Sequence, residues 1–372
     1  MKKRLWTAGI ILALFLGAAG VNNQLAAIGA EQAKTNSHFY EGKFHNAEAV
    51  TPTSLGRTLA IMLRFFTEEK VHAVPEQALP IQTISRVQLL ALSDNELHLV
   101  KLGHSSVLLK VYKEFWLIDP VFAERASPFA FIGPKRFHQT PISIEELPNI
   151  DKVLISHNHY DHLDKAAVKQ LSRKTGQFLV PLGVEADLIK WGLPEDKILS
   201  FDWWQEMHTD QGLIAFTPTR HFSGRGLSDA NNSLWGSWVI KTAHQNVFFS
   251  GDSGYFQGFK QIGRKYGPFD LTLVETGAYD PDWPDVHMTP EQSLQAHLDL
   301  QGRVMMPIHN GTFDLAFHAW YEPLERISQL ADQHNVRLSS PVPGQVLSLQ
   351  QSLDTLRWWQ PLIPSLQTAG GK

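Results

Sequence analysis

There is no cysteine among the 372 residues of this chain. Disulfides, thiolate metal sites and a lipidated N-terminal cysteine are therefore excluded, while the redox compartment stays open. Basic residues are not in excess either. The 33 Lys and Arg against 37 Asp and Glu leave a net charge of −4, so nothing in the charge balance argues for nucleic acid. Internal repeats and low-complexity blocks are missing, and an apolar content of 43% with 19% charged residues excludes a disordered chain. No apolar run reaches the ~20 residues of a bilayer span. The nearest approach, Leu5 to Gly20, is about sixteen residues long and follows Lys2-Lys3-Arg4. That order marks residues 1–30 as a secretory signal or an N-terminal anchor. It places the chain in the cell envelope, anchored or exported, with the cytoplasmic face of the membrane as the alternative.

The remaining organisation follows from periodicity. Residues 31–95 read as a polar linker and a helical extension. Within it, Thr53 to Lys70 has broad helical spacing of apolar residues flanked by Arg57 and Arg64. Such a helix either packs on the domain or touches lipid. From Leu97 the pattern turns to short strands, at 97–102, 107–109 and 115–118, and Asp119-Pro120 ends that run. Phe122 to Phe137 is a long loop carrying Phe129, Phe131, Lys135 and Arg136, either packed as an Ω-loop or facing lipid headgroups. Then come a strand at 152–155, a helix capped by Asp164 and stopped by Gly176, a strand at 178–181, and a helix over 184–191. Strands follow at 213–217, 237–240, 246–250, 269–274 and 304–308. Thr289-Pro290-Glu291-Gln292 starts one helix, and another runs from Trp320 to Gln333. Strand, helix, strand in this order predicts an α/β domain over 96–350, with a tail at 351–372.

What the chain does have is histidine, seventeen in all. Three of them, with two aspartates, fall within His157-Asn158-His159-Tyr160-Asp161-His162-Leu163-Asp164, directly after a buried strand. Clustered imidazoles and carboxylates on one loop suit a borderline cation such as zinc. His157 and His159, two apart on extended backbone, point the same way, whereas adjacent Asp161 and His162 diverge and can serve a second ion.

The motif His157-x-His159-x-Asp161-His162 resembles the signature of the metallo-β-lactamase fold, a four-layer αββα sandwich of two mixed sheets flanked by helices. A histidine after a strand (His221), an aspartate after a strand (Asp252 in Ser250-Gly251-Asp252-Ser253-Gly254) and a last histidine after a strand (His309) continue the pattern in order. The resemblance implies that His157, His159 and His221 hold one Zn2+, that Asp161, His162 and His309 hold a second, and that Asp252 bridges the two. Further pieces resemble the branch of N-acylphosphatidylethanolamine-hydrolysing phospholipase D. They are Gly103-His104-Ser105, Gly133-Pro134-Lys135-Arg136-Phe137, Leu234-Trp235-Gly236-Ser237-Trp238, Gly277-Ala278-Tyr279 and His309-Asn310-Gly311-Thr312-Phe313. His287 lies where that phospholipase has a substrate-facing histidine.

These resemblances imply a zinc-dependent phosphodiesterase. A metal-bridging hydroxide attacks phosphorus and releases phosphatidic acid and an N-acylethanolamine from an N-acylated phosphatidylethanolamine. Asp252 and Asp161 hold the reacting groups, and His287 assists at the phosphoryl oxygens or the leaving alkoxide. His104 and Asp119 are expected to orient ligands by hydrogen bonds, or else to be a turn residue and a strand-end cap. His208, His244, His297 and His318 fit no motif and read as surface or helix residues. The partner is a phospholipid, or another small ester, at a membrane surface. A lactonase or carboxylic-ester hydrolase on the same fold is the alternative, and a non-catalytic envelope protein is the reading from another class.

Overall fold

A computed structural model describes residues 38–364 apart from 52, 53 and 227. The expected signal or anchor over 1–30 lies outside them. Sixteen strands and seven α-helices are described. One seven-stranded sheet runs in the order β16-β3-β4-β5-β6-β7-β8. Its strands are β3 (Leu97–Gly103), β4 (Ser106–Val111), β5 (Glu114–Ile118), β6 (Ile150–Leu154), β7 (Thr175–Pro181), β8 (Ile198–Phe201) and β16 (Val346–Ser348). The second sheet, also of seven strands, runs β15-β14-β13-β12-β11-β10-β9. It comprises β9 (Glu206–Thr209), β10 (Gly212–Thr217), β11 (Ser237–Lys241), β12 (Asn246–Phe249), β13 (Phe269–Glu275), β14 (Gly302–Ile308) and β15 (Arg337–Leu338). Each sheet is antiparallel through its hairpin-connected strands and parallel between β5, β6 and β7 and between β12, β13 and β14, where helices make every crossover except that from β5 to β6, a long loop.

Period-two alternation sorts the side chains into layers. Along β5, Trp116 and Ile118 point between the sheets, whereas Phe115 and Leu117 point outward. The inward set meets Ile214, Phe216, Trp238, Ile240, Phe249 and Leu273 of the other sheet. Outward residues of the first sheet pack on α3 (Lys165–Leu171) and α4 (Val184–Lys190) through Val168, Leu171 and Leu188. Those of the second pack on α5 (Gly258–Tyr266), α6 (Pro290–Asp299) and α7 (Glu322–His334) through Phe259, Leu294 and Ile327. The result is the expected αββα sandwich.

Local signals set the element boundaries. The Asp164 side chain caps α3 by accepting from the Ala166 and Ala167 amides. Thr289 and Gln292 form a capping box at α6, with Pro290 at its first position. Gly176 does not stop α3, which ends at Leu171; it lies inside β7, where a Cβ would come within 2.9 Å of the Asp151 carbonyl. The segment read as linker carries a hairpin, β1 (Phe39–Tyr40) and β2 (Lys43–Phe44), and Phe44 is buried in the inter-sheet core. In the C-terminal tail, Trp359 is buried against Leu79, Trp320 and Leu324. His297 is not on the surface. It is buried in α6, with Nδ1 at 2.7 Å from Thr272 Oγ1.

Helix α1 (Leu55–Thr67) packs through its charges. Arg57 donates to the Asp282 carbonyl at 2.8 Å, Arg64 pairs with Asp280 and Asp282 and lies 3.9 Å from the Phe317 ring centre, and Lys70 just beyond the helix pairs with Asp314 at 2.8 Å. Leu59 and Leu63, one helical turn apart, are left 50% and 62% exposed. The 122–137 loop is pinned at its base by Arg136, which donates to the Val121 and Ala123 carbonyls, while Phe131 at its tip is 75% exposed. Among the described residues no helix is long and apolar enough to cross a membrane.

Candidate metal centre

Every candidate residue is delivered by the carboxyl end of a strand. The loop after β6 carries His157, His159, Asp161 and His162, the turn after β3 carries His104, and β5 runs into Asp119. The second sheet contributes His221 after β10, Asp252 after β12, His287 after β13 and His309 after β14. Strand ends of both sheets thus face one crevice, the usual location of a site in a sheet with parallel strands. The backbone is tightly constrained there. His104, Asp119 and His309 all have positive φ, at 52°, 44° and 63°. L-residues seldom adopt this region, and such outliers cluster at functional sites. Gly251, at φ 57°, sets up Asp252: a Cβ there would lie 2.7 Å from that of Ser156.

Two groups of ligand atoms result. His157, His159, His221 and Asp252 each place one within 4.8 Å of the others, and so do His104, Asp161, His162 and His309. Asp252 touches both groups: its Oδ1 is 3.1 Å from His162 Nε2, and its Oδ2 is 3.1 Å from His309 Nε2 and 3.8 Å from both His157 and His221 Nε2. The structure therefore brings together all seven residues of the resemblance and adds His104, whose Nε2 is 3.1 Å from Asp161 Oδ2. Asp252, His287 and His309 form a third such group.

The outward nitrogen of three of the rings is already committed. His157 Nδ1 donates to Ser156 Oγ at 2.9 Å, and that hydroxyl donates to Asp119 Oδ2 at 2.6 Å. His162 Nδ1 donates to Asp119 Oδ2 at 2.7 Å, and His221 Nδ1 to the Val286 carbonyl at 2.9 Å. Each bond fixes a tautomer and turns the Nε2 lone pair into the crevice, as partners of ligand histidines do. There, His159 Nδ1 lies 2.9 Å from His157 Nε2 and 3.2 Å from His221 Nε2. A single cation would satisfy all three nitrogens at once, which a proton on His159 Nδ1 shared between two acceptors does less well. His162 Nε2 and Asp252 Oδ1, though 3.1 Å apart, are misaligned for a hydrogen bond, and neither has another partner. The donor set fits metal ions.

Electrostatics agree. Burial pushes His159 down to about 4 and His104 to about 3, and it holds His157 and His221 well below the usual imidazole range. These rings are neutral, the form in which an imidazole can bind a metal. Burial alone would raise Asp161 and Asp252, but the facing His162 and His309 imidazoles hold both carboxyls well below the usual range. Against the effect of burial, the same two carboxyls raise His162 and His309 in turn, so without metal two imidazolium charges balance them, a place that bound cations would take.

Several supporting residues escaped the sequence reading. Asn46, in the segment read as linker, clamps His221: its Oδ1 accepts from the His221 amide at 3.0 Å and its Nδ2 donates to the His221 carbonyl at 2.7 Å. Arg225 donates to the Asn158 and Leu163 carbonyls at 2.6 and 2.8 Å and spans the motif loop. Glu275 closes β13 and accepts from His287 Nδ1 at 2.9 Å. An acid at the end of the buried run Leu271 to Val274 was the available signal for Glu275; no pattern marks the other two. The recognised tryptophans also find roles: Trp235 Nε1 donates to the Thr219 carbonyl at 3.2 Å, and Trp238 Nε1 crosses to the Ile155 carbonyl of the other sheet at 3.0 Å.

Residues 116–310, a little over half the chain, match the family model of the β-lactamase superfamily domain. The chain is 39% identical over 347 residues to an uncharacterized protein of Mycobacterium tuberculosis, covering 90% of this chain and 92% of that one. It is 34% identical over 253 residues to N-acyl-phosphatidylethanolamine-hydrolyzing phospholipase D 1 of Caenorhabditis elegans, covering 64% of this chain and 71% of that one. Among solved structures, Igni18, a metallo hydrolase from Ignicoccus hospitalis, aligns with a TM-score of 0.52 at 22% identity over 68% of this chain and 97% of its own, a likeness of fold alone. Family match, relatives and crevice agree: the chain belongs to the β-lactamase superfamily and is a metal-dependent hydrolase of the metallo-β-lactamase fold.

Proposed function

We propose that the chain is a zinc-dependent phosphodiesterase of the phospholipase D type. It hydrolyses N-acylphosphatidylethanolamine-like lipids to phosphatidic acid and an N-acylethanolamine. The observation that carries this is the double ligand group walled by Asp252, seen together with the relative whose name states that activity. Two Zn2+ held by His157, His159 and His221, and by Asp161, His162 and His309, with Asp252 shared, would polarise the phosphoryl group and supply a nucleophile at neutral pH.

The chain's own residues account for the rest. Hydrolysis forms one bond from a water oxygen to phosphorus and breaks the bond from phosphorus to the ethanolamine oxygen. The proton lost by the water ends on that oxygen. Asp252, held ionised by His162 and His309, orients the attacking oxygen and accepts its proton. His287 passes a proton to the leaving oxygen. Asp161, fixed by His104, keeps its group of ligands in place. Water is excluded by the buried walls of the crevice, which strengthens each of these interactions.

Lipid reaches the site at a membrane surface. The exposed Leu59 and Leu63 of α1 and Phe131 of the 122–137 loop support this, as does the basic-then-apolar N-terminal segment, which would hold the protein in the cell envelope. The test is zinc-loaded protein on vesicles containing an N-acylphosphatidylethanolamine, with products read by mass spectrometry. The expected result is phosphatidic acid with N-acylethanolamine. Intact phospholipid alongside cleavage of a lactone or carboxylic ester would replace the phosphodiesterase with the ester hydrolase.

A further inference from the structure

Glu275 is completely buried at the end of β13, and among the described residues its ion-pair partner is a histidine, with no Lys or Arg beside it. Both carboxylate oxygens are used: Oε1 accepts from His287 Nδ1 at 2.9 Å and Oε2 from the Met288 amide at 3.1 Å. Its backbone is fixed as firmly. The Glu275 amide donates to Ser250 Oγ at 2.9 Å, and its carbonyl accepts from Ser293 Oγ at 2.7 Å. The backbone of Glu275 is thus tied to the strand end that carries Asp252 and to the first turn of α6, which fixes where its carboxylate lies. Burial pushes this carboxyl up, and the His287 imidazole pulls it back. A buried acid is poor value for stability alone, because an apolar side chain of similar volume fills such a place at less cost.

The geometry gives the carboxylate another use. His287 is partly open to solvent where Glu275 is sealed, so the ring spans from the carboxylate to the crevice. With Nδ1 held by Glu275, Nε2 is the nitrogen left for the side shared with Asp252 and His309. We infer that Glu275 is a positioning residue: it fixes the ring plane of His287 and keeps a hydrogen on Nδ1, so that Nε2 is the nitrogen that takes the proton Asp252 has accepted and passes it to the leaving oxygen. The carboxylate also faces the charge that the ring carries while the proton is in transit from the attacking water to the leaving alkoxide, and it is not itself protonated. No atom is gained or lost by the pair over a turnover. This rests on the phosphodiesterase reading of the same site.

The test compares Glu275→Gln, Glu275→Asp and His287→Ala in zinc-loaded protein on two phosphodiesters, one with an alkyl alcohol as leaving group and one with p-nitrophenol. General acid–base help is worth about 10²–10⁴-fold, and only the alkyl alcohol needs its proton delivered. Glu275→Gln is expected to lower kcat on the alkyl substrate by at least about 100-fold with KM little changed, to cost far less on the p-nitrophenyl substrate, and to be partly rescued in Glu275→Asp. Adding it to His287→Ala should cost nothing more. Equal losses on both substrates, or additive losses in the double variant, would overturn the inference. A second readout does not need the substrate: long-range proton–nitrogen correlation of the zinc-loaded protein should show His287 as the Nδ1–H tautomer. An Nε2–H ring would end the proposal whatever the protein hydrolyses. Failure to cleave any phosphodiester, with the Nδ1–H tautomer present, would instead count against the phosphodiesterase.

Discussion

Replacing Asp119 by Asn exchanges one oxygen for an NH2 group inside the hydrogen-bond set that orients two ligands. Asp119 Oδ1 accepts from the Ser156 amide at 2.7 Å, and Oδ2 accepts from the Ser156 hydroxyl and from His162 Nδ1 at 2.6 and 2.7 Å. All three partners donate, and the group is completely buried. An Asn that keeps its oxygen on the Ser156 amide turns its NH2 toward His162 Nδ1. The ring can then meet it only with Nδ1 as acceptor, which moves the ring hydrogen to Nε2, the atom that must bind metal. The flipped amide sets NH2 against the Ser156 amide instead, at similar cost. Loss of such a partner typically lowers metal affinity about 10- to 100-fold, or roughly 1.4–2.7 kcal/mol. Competition for zinc against a chromophoric chelator measures this directly, with His208→Asn on exposed β9 as the control. The fold should persist, since the side chain keeps its shape. Wild-type affinity in the Asp119→Asn variant would refute the argument that Asp119 acts by fixing the tautomer.

Asp252→Asn should abolish turnover while leaving the circular dichroism spectrum unchanged, and near-wild-type activity would remove Asp252 from the chemistry. Wild-type protein purified without chelator should carry more than one transition metal per chain by elemental analysis; less than one would sink the enzyme reading. His297, pushed down to about 4 by burial, stays neutral in the fold while the unfolded chain takes a proton near 6.5. Between those values the unfolded state binds more protons, so stability falls as pH drops, by about 2 kcal/mol from pH 7 to 5. Urea unfolding of His297→Gln should show that much less pH dependence, and an unchanged dependence would show that His297 does not set it. Changing both Leu59 and Leu63 to Glu should weaken sedimentation with lipid vesicles at least about 10-fold, since burying a leucine is worth roughly 1.5–3 kcal/mol. Hydrolysis of a soluble phosphodiester should stay within about two-fold, and retained vesicle binding would take α1 off the membrane.

The elements were legible because short apolar runs such as Phe115-Trp116-Leu117-Ile118 mark buried strands and the Thr289 and Asp164 caps announce their helices, while the four-layer sandwich was legible only through the family resemblance of the motifs. The metal centre was legible because one loop concentrates four of its residues. Its support was not. Asn46 acts on His221 across 175 positions of sequence, and a single Asn in a polar stretch carries no pattern. Helix α1 reads from its sequence as packing on the domain or touching lipid, and it packs on the domain: Arg57, Arg64 and Lys70 meet acids and carbonyls of the 280–283 and 314 loops, and Phe65 packs on Phe317. Gly176 has the chemistry of a helix stop, and only the neighbouring strand shows why a glycine is there.

The ligands are divided between the two sheets, with His157, His159, Asp161 and His162 on one and His221, Asp252 and His309 on the other. Neither half of the chain owns a complete coordination sphere. An ion held by residues of both sheets would act as a rivet through both leaves of the sandwich, and its energy of coordination would also be energy of association between the halves. Damage to the inter-sheet contact of Trp238 with Ile155, at the base of the motif loop, would be felt as weaker metal binding, and loss of metal would loosen the leaves first at the end where the strands deliver their ligands.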